Sequence, residues 1–265
     1  MMETKTCFVE YKAENGIATL ELNNPPANAY HHELMKELDE AILKARMDET
    51  VHVLVLTGKG DKCFCAGADI TLLQGKSSSY RCNFALHANE TLMRLENTPK
   101  LVIAAINGHC LGGGLEMALS CDLRIAKKGG GKIGLPEIAL GVLPGTGGTQ
   151  RLPRLIGKSK ALELMIKGDS LNMEEAHSLG IVNHLFEAEQ FSQQVLDYAK
   201  QFLPPAKASK SVGLIKRAVV SGLDGSLGEG LALERELLQQ LFDSQDAKEG
   251  LSSYLEKRKP NFSGR

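Results

Sequence analysis

The chain has 265 residues, 43% of them hydrophobic, and its 31 basic and 32 acidic side chains leave a formal net charge of −1. That length and apolar content suffice for one large core, or a core with an appendage. The balanced charge excludes a global pull towards nucleic acid or an anionic membrane, and no run of about 18 apolar residues is present to cross a bilayer.

The opening Met1-Met2-Glu3-Thr4-Lys5-Thr6 has neither an apolar signal core nor an arginine-rich transit character, so a cytoplasmic location is expected. Ile17–Leu22 then alternates as a half-buried strand. His32–Arg46 sets Leu34, Leu38, Ala41, Ile42 and Ala45 at helical spacing. Val51–Thr57 is a largely apolar strand ending at Gly58-Lys59-Gly60, and Cys63 and Cys65 alternate as on one face of a strand. Asn83–Leu95 repeats the helical pattern with Leu86, Leu92 and Leu95. Leu101–Ile106 is a short buried strand ending at Asn107-Gly108. Gly114–Ser120 opens a helix directly after a glycine run, and Leu123–Ala126 and Ile181–Phe186 are further strand candidates. Strands alternating with helices predict an α/β fold.

From about Ala188 the strand signals cease. Helical patterns cover Ala188–Phe202, Ala206–Ser221, Leu227–Phe242 and Ala247–Lys257, punctuated by Pro204-Pro205 and Gly222–Gly225. The expected organisation is a core over residues 1–190 that carries the site and a helical region over 191–265 that packs on it or on a neighbouring subunit. The six cysteines, Cys7, Cys63, Cys65, Cys82, Cys110 and Cys121, form no CxxC pair and no metal-ligand spacing, so buried thiols and no metal are expected.

Three stretches carry chemistry. Ala66-Gly67-Ala68 ends a strand with side chains small enough for the backbone to approach a ligand. Gly112-Gly113-Gly114 starts a helix, where unbonded N–H groups and a partial positive charge collect. Amides from two such segments, converging on one carbonyl oxygen, would form an oxyanion hole. Losing one such donor costs about 3–4 kcal/mol of transition-state stabilisation. Glu116 falls in the first turn of that helix, where a carboxylate suits the dipole. Glu137 follows Pro136 in an otherwise apolar run, and burial there would raise its pKa towards neutrality, as a general acid needs; helix capping or a surface ion pair is the plain alternative. Two carboxyls beside an oxyanion site suit chemistry next to a thioester carbonyl. No G-x-S-x-G elbow is present to support a serine hydrolase.

In this order, Ala66-Gly67-Ala68-Asp69-Ile70, then Asn107-Gly108 leading to Leu111-Gly112-Gly113-Gly114 and Glu116, then Pro136-Glu137-Ile138, then Pro144-Gly145 leading to Gly147-Gly148-Thr149-Gln150-Arg151-Leu152, resemble the crotonase (enoyl-CoA hydratase/isomerase) family. The resemblance runs from Ile17 to the closing Tyr254–Phe262. It implies a crotonase-like spiral of repeated ββα units with a C-terminal helical trimerisation region, in a homotrimer or a dimer of trimers. It implies an acyl-CoA thioester substrate, coenzyme A being part of the substrate and no cofactor being needed. The thioester oxygen would sit between the N–H groups of Ala66 and Gly113. Ala66, Gly67, Ala68, Asp69 and Ile70 would run along the CoA moiety, Ala68 and Ile70 near the adenine, with Gly112 and Pro136 also lining the site. Keeping both glutamates favours hydration: Glu116 would activate water, Glu137 would protonate the α-carbon, and Gly145 would leave room for the water. Leu238 and Tyr254 stand where short-chain relatives carry phenylalanines at the substrate site, and Lys257 matches a lysine reaching CoA phosphate from a neighbouring subunit. Lys62 is a second phosphate candidate, while His109 reads as incidental and Asp122 as structural.

Two alternatives stay open. One is hydration of a branched or cyclic enoyl-CoA, or a double-bond shift. The other is an RNA-binding or scaffold role, resting on Lys207, Lys210, Lys216 and Arg217 along one helix; the net charge opposes it.

Overall fold

The computed structural model describes residues 7–264; the opening Met1–Thr6 lies outside the described residues. In chain order the elements are β1 (Val9–Glu14), β2 (Ile17–Leu22), α1 (His32–Met47), β3 (Val53–Gly58), β4 (Cys63–Cys65), α2 (Ile70–Leu73), α3 (Ser78–Glu96), β5 (Leu101–Ile106), β6 (His109–Leu111), α4 (Gly113–Leu119), β7 (Leu123–Lys127) and β8 (Lys132–Gly134). A 3-10 turn, Glu137–Leu140, precedes α5 (Gly148–Ile156), α6 (Lys158–Lys167), β9 (Ser170–Asn172), α7 (Met173–Ser178), β10 (His184–Phe186), α8 (Phe191–Lys200), α9 (Ser209–Gly222), α10 (Leu227–Phe242) and α11 (Gln245–Leu255).

Two sheets organise these elements. The larger has the order β1-β2-β3-β5-β7-β10, with β1 antiparallel to β2 and every other pair parallel. Its central strands are apolar at nearly every position because both faces are covered. Leu54, Leu56, Val102, Ala104 and Ile106 point into the main core with α1, α3 and α4. Their neighbours Val53, Val55, Ile103 and Ala105 turn to the opposite face and meet Phe191, Val195 and Ala199 of α8. So α8, which the expected boundary at residue 190 assigns to the C-terminal region, covers one face of the first sheet. The second sheet, β4-β6-β8-β9, is built from three-residue strands, parallel through β4, β6 and β8.

Ile17–Leu22, Leu101–Ile106 and Leu227–Phe242 form the elements expected of them. Ile181–Phe186 is shorter as a strand, because Ile181 and Val182 are buried without joining the sheet and donate instead to the Ala176 carbonyl, at 2.9 and 3.3 Å. The thiols of Cys63, Cys65, Cys110 and Cys121 are free and buried, but Cys7 and Cys82 are exposed. Burial pushes Cys63, Cys65 and Cys121 up to about 11, 12 and 12, which keeps them as inert thiols.

A buried lysine ties helix α9 to the edge of the first sheet. Lys216 Nζ lies 2.8 Å from Asp122 Oδ2 and 3.1 Å from the Lys100 carbonyl oxygen. Asp122 also accepts the Val102 N–H at 2.7 Å, and burial raises its pKa although Lys216 opposes the shift. Lys216 is therefore not part of an exposed basic face, and the helix expected to carry an RNA contact loses one of its cations to the interior.

Candidate active site

The three parallel strands β4, β6 and β8 end side by side. Each releases one chemistry-bearing segment from its C-terminal end: Ala66–Asp69 after β4, Gly112–Glu116 after β6, and Leu135–Glu137 after β8. Ligands in α/β folds gather at this edge, because the loops there leave main-chain donors and side chains free of the sheet. The packing of the first two segments is tight. A Cβ on Gly114 would come within 2.0 Å of the Cys65 carbonyl oxygen, so only glycine fits. Gly67 has φ +91°, and a Cβ there would lie 3.0 Å from the Gly113 nitrogen.

The expected donor pair needs one correction. The Ala66 N–H is occupied by the Ala27 carbonyl at 3.0 Å and cannot also bind a substrate oxygen. Two residues on, the pattern reverses. Tyr30 N–H donates to Gly67 O and Asp69 N–H donates to Tyr30 O, both at 2.9 Å, so Ala68 is bridged to Tyr30 by its neighbours' groups. The Ala68 N–H has no acceptor among the described residues, and neither has that of Gly113 in the first turn of α4. Of the expected pair Gly113 therefore stays available, and on the facing segment the free amide is that of Ala68 and not of Ala66.

Glu116 is 2% exposed, one turn into α4. Its Oε1 accepts the N–H groups of Thr146 at 2.8 Å and Gly148 at 2.7 Å, and its Oε2 accepts the Thr146 hydroxyl. The loop 144–148 is wrapped on that carboxyl, and Asn89 of α3 holds it from outside by donating to the Gly145 carbonyl at 3.1 Å. Arg151 adds a brace, with Nη1 on the Thr146 carbonyl at 3.2 Å and Nη2 on Glu96 at 2.7 Å.

Glu137 opens the 3-10 turn and caps nothing. Its Oε2 is buried without a hydrogen-bond partner among the described residues, and its Oε1 lies 3.0 Å from where a Cβ on Gly112 would sit. Burial, offset in part by its own main-chain N–H and reinforced by nearby Glu116, raises its pKa to about 7. The two carboxyls are thus held differently: one is saturated with donors, the other is left in a pocket that favours its proton.

The other candidates scatter. Asp69 spends its carboxylate on α2, accepting from the N–H and hydroxyl of Thr71 at 3.0 and 2.6 Å. Ile70 is exposed beside it, and Pro136 is half-buried before Glu137. At Gly145 a methyl group would meet nothing nearer than 3.9 Å, so open space adjoins the loop that holds Glu116. Leu238 and Tyr254 are 47% and 82% exposed on α10 and α11, and neither they nor Lys257 bond to a site residue among the described residues. Lys62 is exposed, and His109 takes the Lys132 N–H at 3.0 Å, a structural bond. Sequence reasoning missed Thr146 and Gly148 as Glu116 partners. The only signal was their place in a run of small residues.

The family model for Enoyl-CoA hydratase/isomerase matches residues 12–265. A crotonyl-CoA hydratase of Syntrophomonas wolfei is 39% identical over 250 residues, 94% of this chain and 95% of that protein. A short-chain-enoyl-CoA hydratase of Clostridium acetobutylicum is 36% identical over 97% of both chains. Among solved structures, an enoyl-CoA hydratase of Geobacillus kaustophilus superposes with a TM-score of 0.95 at 42% identity, covering 99% of this chain and 98% of its own. Whole-length similarity of this degree, on a fold that gathers the shared motifs at one sheet edge, places the chain in the enoyl-CoA hydratase/isomerase family and gives it the crotonase fold.

Proposed function

We propose that the protein is an enoyl-CoA hydratase that adds water across the 2,3 double bond of an enoyl-CoA to give a 3-hydroxyacyl-CoA. The observation that carries this reading is the unlike pair of carboxyls, Glu116 bound by three donors and Glu137 with an unpartnered oxygen and a raised pKa, beside two free amides. The N–H groups of Ala68 and Gly113 hold the thioester oxygen and draw electron density from C3. Glu116 orients a water and takes one of its protons as the oxygen bonds to C3. The π electrons move towards the thioester oxygen as an enolate, and Glu137 gives its proton to C2. Product release and proton exchange with solvent restore both carboxyls.

No redox step or metal enters, and coenzyme A arrives with the substrate. The relatives' names support the activity, and the short-chain name supports a small acyl group. The assembly belongs to the same proposal: α9–α11, with the Leu223 that ends α9, leave Ile215, Val219, Leu223, Leu227, Leu251 and Leu255 exposed, which favours a homotrimer or a dimer of trimers with Leu238, Tyr254 and Lys257 near a neighbour's site. The cytoplasmic location expected from the sequence is part of it too; among the described residues no helix is long and apolar enough to cross a membrane.

The test is loss of the enoyl thioester absorbance on mixing with crotonyl-CoA, repeated with longer and branched enoyl-CoAs. Turnover of crotonyl-CoA supports the reading. Conversion only of 3-enoyl to 2-enoyl thioesters, without hydration, would replace it with an isomerase.

A further inference from the structure

Tyr30 lies outside every motif that carries the family resemblance, yet it joins the parts of the site. Its main chain forms the bridge to Ala68, through bonds of 2.9 Å on either side, and that pairing turns the Ala68 N–H away from Tyr30 and towards the ligand side. Its side chain is 4% exposed, with the ring stacked on Phe84 of α3 at 5.9 Å between centroids. The hydroxyl ends where a Gly113 side chain would begin: a Cβ there would lie 2.2 Å from it. Thr146, Glu116 and Glu137 lie near enough to bias its ionisation. Burial among these groups holds the phenol far above its ordinary range, so it keeps its proton and remains a donor.

One residue thus touches the segments of both proposed oxyanion donors, through its main chain on either side of Ala68 and through its hydroxyl at Gly113. An aliphatic side chain could fill the volume against Phe84, but it would leave Gly113 without the hydroxyl that packs against it. We propose that Tyr30 is a positioning residue, whose main chain aims the Ala68 amide and whose hydroxyl, seated against Gly113, holds the Gly113 amide in register with it. The inference rests on the hydratase reading for its kinetic test, though not for its binding test.

Tyr30→Phe removes the hydroxyl alone and keeps the stacked ring. With crotonyl-CoA, kcat is expected to fall about tenfold with KM within about twofold, since misplacing a catalytic group weakens the transition state more than the ground state. A second readout needs no turnover. Bound cinnamoyl-CoA should show a red-shifted absorbance where the amides polarise its carbonyl, and Tyr30→Phe should reduce that shift at an unchanged thermal midpoint.

A Tyr30→Phe protein with full kcat and full red shift would overturn the inference. So would a loss of activity that only tracks a loss of folded protein, with the shift per bound ligand unchanged, because the residue would then be packing alone. The two readings fail separately. An unaltered protein that red-shifts cinnamoyl-CoA but hydrates no enoyl-CoA removes the hydratase reading and leaves the Tyr30 comparison intact.

Discussion

Glu137 keeps one carboxyl oxygen buried without a partner, and its pKa of about 7 follows from that burial. As a proton donor to C2 it must be protonated, so kcat for hydration is expected to fall as pH rises through about 7, and a rate profile between about pH 5 and 9 reads this directly. Replacing either carboxyl isosterically, as Glu137→Gln or Glu116→Gln, should lower kcat by about a hundredfold or more while circular dichroism shows an intact fold. The same burial makes a stability prediction. The folded pKa lies above the ordinary 4.5, so the native state holds the proton more tightly than the unfolded chain. The contribution of this carboxyl to stability is therefore full below about 4.5 and lost as pH rises through about 7. Glu137→Gln should raise the melting temperature relative to the parent at about pH 9 and lose that advantage at about pH 4. At this scale the sequence identified which residues matter better than what they bond to. Both glutamates were legible from their settings, one after a glycine run and one in an apolar stretch. The choice between Ala66 and Ala68 was not, because it turns on Ala27 accepting one amide, and Ala27 is 39 positions away from Ala66 in the chain.

At the scale of elements, the buried Lys216–Asp122 contact is where α9 meets the sheet, and Gly213 lets the helix come so close that a Cβ would lie 2.4 Å from the Pro99 carbonyl oxygen. Removing only the lysine, as Lys216→Met, leaves a buried carboxylate without its bonded cation and should cost roughly 3–5 kcal/mol. Adding Asp122→Asn to that variant should recover part of the loss, and urea unfolding of the parent, single and double variants measures both. The long elements were legible because their periodicity repeats over several turns or registers: α10 spans Leu227–Phe242 and β5 spans Leu101–Ile106 as expected. The strands β4, β6, β8 and β9 have three residues each, too few for a period-2 pattern to rise above chance. These short strands form the sheet that presents the site.

For the whole molecule, a chain that leaves Leu223, Leu227 and Leu255 at 72%, 79% and 80% exposure on its C-terminal helices has apolar surface to cover. Light scattering on the purified protein should give three or six chain masses, and Leu227→Asp with Leu255→Asp should move it towards one. A single-chain mass for the unaltered protein would remove the trimer. If neighbours complete the site, dissociation should also raise KM for the CoA thioester, since Tyr254 and Lys257 make no side-chain bond to the site among the described residues.

By itself the sequence determined the α/β class, the covered central strands, the C-terminal helices and the inventory of chemistry-bearing residues, because each depends on local period or on residue type. Only the tertiary structure decided which amides are free, which carboxyl is saturated and which is left with its proton, and that Tyr30 touches both amide-bearing segments. Those properties depend on partners far apart in the chain, and local pattern carries no information about who occupies a hydrogen bond across the fold.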